Sequence, residues 1–256
     1  MKYIRKAIVV ILAAVFIAAV AIGLSVIFAV RNINVFTIAY TDGGAVSAQF
    51  SSAVSSLEDA LSSYKGRTIN AVDEEKVRQA VEESDYAEFV SYEKIYPCTI
   101  NVTVRERLEV FAVAEEDGYT ILDGNCSVIT QKSANVNNLD GSPNVLLTDV
   151  TAEDYPIVTE IADLLKEKFS SVRAFAESIG IDRASVSVER DSLSIKLRCG
   201  LTMVITDYKT SAADKAEALC NAFLKMPDHL KLSGSMRCVA AADGSLSVVL
   251  PDGSVS

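Results

Sequence analysis

Few side chains in this chain of 256 residues are placed to do chemistry. His229 is the one histidine, so no second imidazole can share a metal ion with it, and beside Pro227 and Lys231 it reads as a surface-loop residue. Cys98, Cys126, Cys199, Cys220 and Cys238 lie far apart and form no C-x-x-C pair, which argues against a zinc site. Being odd in number, they leave at least one thiol unpaired. They read as small buried hydrophobes, the alternative for an exported chain being a disulfide. The acidic pairs Glu82-Glu83 and Glu115-Glu116 are of the type that does acid-base work on glycans, yet they fall at expected turns and helix ends, where solvated carboxylates are ordinary. No phosphate-binding glycine loop, nucleophile elbow or zinc-protease signature stands in a suitable context. The sequence thus predicts no catalytic residue, cofactor, metal or small-molecule substrate. Glu106-Arg107 has two readings: the pair satisfies itself or a domain boundary, or it orients two domains.

The elements that carry these residues begin with an uncharged run from Ala7 to Val30. As a helix rising about 1.5 Å per residue it is long enough to cross a hydrocarbon core of about 30 Å, which predicts a transmembrane segment over 7–30. Lys2, Arg5 and Lys6 precede it and only Arg31 follows closely, so residues 1–6 are expected in the cytoplasm. A cleaved signal peptide with Ala19-Val20-Ala21 at the cleavage site is the competing reading, but the run continues well past that point, beyond the usual span of about 7–15 residues. All 34 acidic residues follow the run, leaving the exported part more acidic than the chain's net charge of −10. That argues against nucleic acid as a partner and against a nonspecific grip on anionic lipid; solubility explains the charge.

After the run, Ile33–Tyr40 reads as a strand ending at Asp42-Gly43-Gly44. Phe50, Val54, Leu57, Leu61 and Tyr64 mark one face of a helix stopped by Gly66. Asp73 is set to cap a second helix bearing Val77, Ala80 and Val81, with Val72 and Val77 as a staple and an end near Ser84. Phe89 to Ala112 then reads as strand, turn and strand: Ile100, Val102 and Val104 alternate with polar residues, and Pro97 suits the connection. The order is strand, helix, helix, strand, strand.

In the second half, Glu116-Asp117-Gly118-Tyr119 predicts a hairpin, and the polar stretch Gln131–Asn144 predicts a surface loop. Apolar spacing from Ala152 to Ser178 predicts one helix with Thr151 as N-cap and Gly180 as its stop. Strands are expected at Ala184–Glu189, Leu193–Leu197 and Met203–Thr206, a helix at Ser211–Lys225 ended by Pro227, and two last strands joined through Asp243-Gly244. Antiparallel pairing is the expectation.

The run Tyr96–Arg107, with Pro97, Thr99, Ile100, Val102, Val104, Glu106 and Arg107, resembles the POTRA domain of the bacterial division proteins FtsQ and DivIB. Departures are Glu109, where the family has a proline after its Glu-Arg pair, and Asp85-Tyr86, where it has a proline before the second strand. The resemblance covers Ile33 to Leu250 and implies an α+β chain: cytoplasmic residues 1–6, a single transmembrane helix over 7–30, a β-α-α-β-β POTRA domain over 31–108, a mixed α/β "β domain" with an antiparallel sheet over 109–250, and a short tail over 251–256. It implies a noncatalytic, single-pass divisome protein at the septum that scaffolds septal peptidoglycan synthesis by binding FtsL-like and FtsB/DivIC-like partners. The docking edge it implies is Ser245, Leu246, Ser247, Val248, Val249 and Leu250, where an added strand would gain backbone hydrogen bonds. The alternative is an edge protected by Pro251–Ser256. Rival functions are a membrane-anchored envelope enzyme such as a glycan hydrolase, or a POTRA-bearing secretion or assembly module.

Overall fold

The computed structural model describes residues 2–39, 46–183, 191–240 and 245–255, with side chains from Ile11 onward. The chain divides into two compact units, Met1–Arg107 and Leu108–Ser256.

The first unit opens with helix α1 (Lys2–Ile27). Among the described residues no helix is both long enough and apolar enough to cross a membrane. The described side chains of α1, from Ile11 to Ile27, are nonetheless uncharged, apolar but for Ser25, and exposed on all sides, Phe16 at 70% and Ile17 at 67%. The uncharged run is not one helix to its end: Phe28 closes the last turn by donating to the Leu24 carbonyl, and Val30 is buried in the core of the folded domain that follows.

That domain comprises β1 (Asn32–Ile38), α2 (Ala48–Ser62), a 3₁₀ turn over Ile69–Ala71, α3 (Glu74–Glu82), β2 (Ala87–Ile95) and β3 (Thr99–Glu106). The sheet order is β1-β3-β2, with β1 parallel to β3 and β2 antiparallel to it. Local chemistry explains the elements. The Ser47 hydroxyl accepts from the Phe50 N–H at 3.2 Å to start α2, and the Asp73 carboxylate accepts from Glu75 N–H at 3.1 Å to start α3. Phe50, Leu57 and Leu61 of α2 and Val77 and Val81 of α3 are buried in one core with Ile100, Val102 and Val104 of β3. Each such side chain contributes about 2 kcal/mol by leaving water. Gly66 has a positive φ of 85°, but α2 has already ended and the glycine serves the turn that returns to Val30. The turn expected at Asp42-Gly43-Gly44 lies outside the described residues.

The second unit is built on a nine-stranded sheet, β12-β11-β10-β9-β8-β7-β4-β5-β6. Its strands are β4 (Phe111–Glu115), β5 (Gly118–Leu122), β6 (Val128–Lys132), β7 (Val145–Thr148), β8 (Ala176–Asp182), β9 (Ser192–Leu197), β10 (Leu201–Thr206), β11 (Gly234–Ala240) and β12 (Leu246–Val249). The expected antiparallel sheet is corrected to a mixed one: β4–β7, β7–β8 and β10–β11 are parallel. Neighbouring parallel strands need a crossover, and α4 (Tyr155–Phe169) with short α5 (Val172–Phe175) supplies it between β7 and β8, as α6 (Ala212–Lys225) does between β10 and β11. The two long helices pack against each other, and α6 lies on β10, β11 and β12. Phe169 stacks on Phe175 and both meet the edge of Phe223, joining α4, α5 and α6.

The single helix expected over Ala152–Ser178 is therefore three elements. Gly180, expected as a helix stop, sits inside β8 because a Cβ there would collide with the Thr148 hydroxyl of β7. The stretch expected as a surface loop begins as strand β6 and continues around the buried side chains of Asn137 and Asn144. Glu109, 4% exposed, accepts from Lys132 Nζ at 2.8 Å, while Asn137 donates to the Glu109 carbonyl and to Asn144 Oδ1. Loop backbone in the interior is tolerated because these amides satisfy it. The expected strand Ala184–Glu189 and hairpin Asp243-Gly244 lie outside the described residues.

Candidate partner-docking edge

The outermost strand of the large sheet is set in place by a chain of requirements that starts at α6. Lys215, 3% exposed, is buried in that helix and donates to the Thr206 and Asp207 carbonyls at 3.0 and 2.8 Å. This ties the helix start to the end of β10, so β11 returns parallel to β10 with Met203 opposite Met236 and Ile205 opposite Cys238. Strand β12 then pairs antiparallel with β11, Val248 opposite Cys238 and Val249 opposite Arg237. Met236, Cys238 and Val248 enter the core, whereas Val239 and Arg237 remain exposed.

Of the six expected docking residues, Leu246–Val249 form β12, with Ser245 and Leu250 flanking it. Val248 is 3% exposed and anchors the strand; Leu246, Ser247, Val249 and Leu250 are half-buried. The tail turns back at Pro251–Gly253, so that Val255 bridges Val249 and the Leu250 N–H donates to the Ser254 carbonyl at 2.8 Å. Leu250 thus points its backbone away from β11. A strand's period of two turns the backbone groups of Val248 and Leu246 to the same outer side. Among the described residues, no strand pairs with β12 along that side before Val249.

The other expected motif residues lie together in the first unit, at the two ends of β3. Pro97 follows a cis peptide bond in the turn before it, and Thr99 is its first residue, opposite Asn32 and Ile95. Glu106 and Arg107 stand at the end of β3 and just after it. Glu106, 4% exposed, accepts from the Ser47 N–H at 2.8 Å, placing a carboxylate at the start of α2, where the helix dipole favours it. Arg107 donates to the Asp85 carbonyl at 3.1 Å.

Sequence reasoning missed a polar centre in the second unit. Asp154 is the N-terminal cap position of α4, where Thr151 was expected, and is 2% exposed. Its carboxylate accepts from the Thr151 N–H and hydroxyl at 2.9 and 2.7 Å, from Tyr208 Oη at 2.7 Å and from Arg183 at 2.7 Å. Burial alone would raise its pKa, but these donors outweigh burial and hold the carboxyl down at about 2. Burial, with the charge and hydrogen bond of Asp154, pushes the Tyr208 hydroxyl up to about 12, so it stays a donor. The spacing of Thr151 and Asp154 was the signal; the reach to Arg183 and Tyr208 left none.

His229 is exposed in a 3₁₀ turn. Glu115 accepts from the Thr120 hydroxyl, and Glu82 and Glu83 lie exposed at the end of α3. Among the described residues no three His, Cys, Asp or Glu side chains gather as metal ligands. Cys126, Cys220 and Cys238 are buried, whereas Cys98 is half-buried and Cys199 is exposed, so the expectation of buried thiols fits three of the five. Burial pushes Cys126 up to about 11 and Cys220 up to about 12, leaving both as unreactive thiols.

No family model matches the chain. No curated protein matches it either. Among solved structures, the chain is similar to the major extracytoplasmic domain of the trans isomer of the bacterial cell division protein DivIB from Geobacillus stearothermophilus. The identity is 16% and the TM-score 0.29, covering 46% of this chain and 92% of that one. The superposition is loose.

Proposed function

We propose that this chain is a noncatalytic, membrane-anchored scaffold of the division apparatus that binds FtsL-like and FtsB/DivIC-like partners by strand addition to β12. The observation that carries the docking site is an outermost strand whose backbone groups at Leu246 and Val248 turn away from β11, beside a tail that engages only its carboxyl end. Such an edge gains one hydrogen-bonded ladder when an extended segment is added. The sequence resemblance supplies the identity of the partners, and the β-α-α-β-β order of the first unit is the order that resemblance implies. The anchor in this reading is α1, with residues 1–6 in the cytoplasm and both folded units outside. A helix apolar all round is at home only in a core or a bilayer.

Val248→Pro removes an outward N–H while sparing the bonds that face β11. In a pull-down of the full chain with its source organism's FtsL-like and DivIC-like proteins, the variant is expected to lose most binding while its circular dichroism stays native. Retained binding in a folded variant would refute the docking edge. A fluorescent fusion is expected at midcell, and uniform envelope labelling would count against a division role.

A further inference from the structure

The end of the first unit nearest α1 has a composition unlike the rest of the chain. No spacer separates helix from domain: after Phe28 closes the last turn, Ala29 bridges Thr68, Val30 donates to the Arg67 carbonyl and accepts from Gly66, and Arg31 donates to the Cys98 carbonyl. These bonds gather residues 28–31, 64–69 and 96–98 into one rim around the helix exit. On it Phe28 meets the edge of Tyr96 at 6.3 Å, and the Arg67 guanidinium lies over the Tyr64 ring at 5.3 Å. Arg31, Lys65, Arg67 and Tyr96 are exposed. Although the chain holds 34 acidic residues, none falls in the segments 28–39, 60–72 or 94–105 that supply this end; Asp59, Asp73 and Glu93 flank them. The acidic cluster Glu82, Glu83 and Asp85 sits beside the start of β2, at the opposite end of the strands.

We infer that this rim, with Phe28, Arg31, Tyr64, Lys65, Arg67 and Tyr96, rests in the headgroup layer and binds the phosphates of anionic phospholipid. The inference rests on α1 being the anchor. The uncharged helix from Ala7 to Ile27 rises about 31 Å, matching a hydrocarbon core of about 30 Å, so the headgroup layer coincides with the rim. Aromatic rings with polar tips settle at that depth, and lysine and arginine add attraction to an anionic surface. The acidity of the exported part as a whole argues against a lipid grip, but exposed charges are screened beyond about 8–10 Å, so the local basic rim governs contact at its own position.

The test is hydroxyl-radical footprinting of the full chain, read residue by residue by mass spectrometry. It compares nanodiscs of phosphatidylcholine alone, nanodiscs with added phosphatidylglycerol, and detergent. In anionic discs, oxidation of Tyr96 and Tyr64 is expected to fall to roughly half its detergent level, with Tyr86 at the far end unchanged. Lys65→Gln/Arg67→Gln is expected to abolish the difference between anionic and zwitterionic discs. Equal Tyr96 oxidation in anionic discs and detergent, with Phe16 protected, overturns the inference and leaves the anchor standing. Phe16 oxidised freely in discs overturns the anchor itself. A drop in Tyr96 oxidation caused by inorganic phosphate in detergent also overturns it, by showing an ion site in place of a lipid surface.

Discussion

Each unit brings a buried carboxylate to the start of a helix, and the two do it with different amounts of polar material. In the first unit Glu106 takes one backbone N–H, that of Ser47, and the Ser47 hydroxyl caps α2 separately. In the second, Asp154 gathers a backbone N–H, two hydroxyls and a guanidinium around the start of α4. The first arrangement trims a helix end that an apolar core already holds. The second links the β7–α4 connection, the segment after β8 and the one after β10, so it fixes how both crossovers meet the sheet. A buried charge with several partners is costly to leave half-satisfied, so the two sites should respond to substitution very differently.

The largest expected effect is at Asp154. Asp154→Ala should destabilise the second unit by about 3 kcal/mol, leaving the Tyr208 hydroxyl buried without an acceptor, while Glu106→Ala should cost the first unit about 1 kcal/mol. Hydrogen exchange resolved to α4 and α2 peptides measures both. A Glu106 cost equal to or above that of Asp154 would break the contrast. Next is Lys215→Met, which removes the cation from the Thr206 and Asp207 carbonyls; a loss of about 2 kcal/mol confined to the second unit is expected in the same experiment.

Acid sharpens the comparison further. The folded pKa of Asp154 lies at about 2, below its ordinary value of 3.8, so its ionised form is the one the fold favours. Its stabilisation, about 2 kcal/mol, is complete above the unfolded value and is lost as pH falls from about 4 through about 2. Asp154→Asn should flatten the acid limb of a stability–pH curve for α4 peptides and leave that for α2 peptides alone. The smallest effect expected is chemical: iodoacetamide on the native chain should label the exposed Cys199 readily and spare buried Cys126, Cys220 and Cys238 until the second unit opens.

Much of the first unit was legible because its signals are local. The alternation of Ile100, Val102 and Val104 marks β3, and Asp73 announces α3 within one turn. Beyond that range the sequence misled. Residues Ala176 to Ser178 continue the apolar spacing of the expected helix, and only the pairing of β8 with β7 and β9 makes them part of a strand. Four-residue β7 is too short to show a period. Glu106 finds Ser47 across 59 positions and Asp154 finds Tyr208 across 54, distances at which neither residue's neighbours predict its partner. Strand β12 was legible as a short apolar run near Asp243-Gly244, while its proposed docking role came only from the resemblance. Its outward backbone was not, because that depends on the turn at Pro251–Gly253.

The seamless passage from α1 into the first unit also has a mechanical meaning. With Val30 buried in the domain core and Ala29 bridged to Thr68, helix and sheet move as one lever, and in the proposed orientation its longer arm, α1, would lie in the bilayer. Strands β1 and β3 run about 25 Å away from the end at which α1 enters the unit. A helix tilt of about 20°, ordinary for a membrane span, would sweep the far end of β3 sideways by several ångströms. In the proposed membrane orientation, bilayer thickness would therefore set where the chain leaves this unit at Arg107.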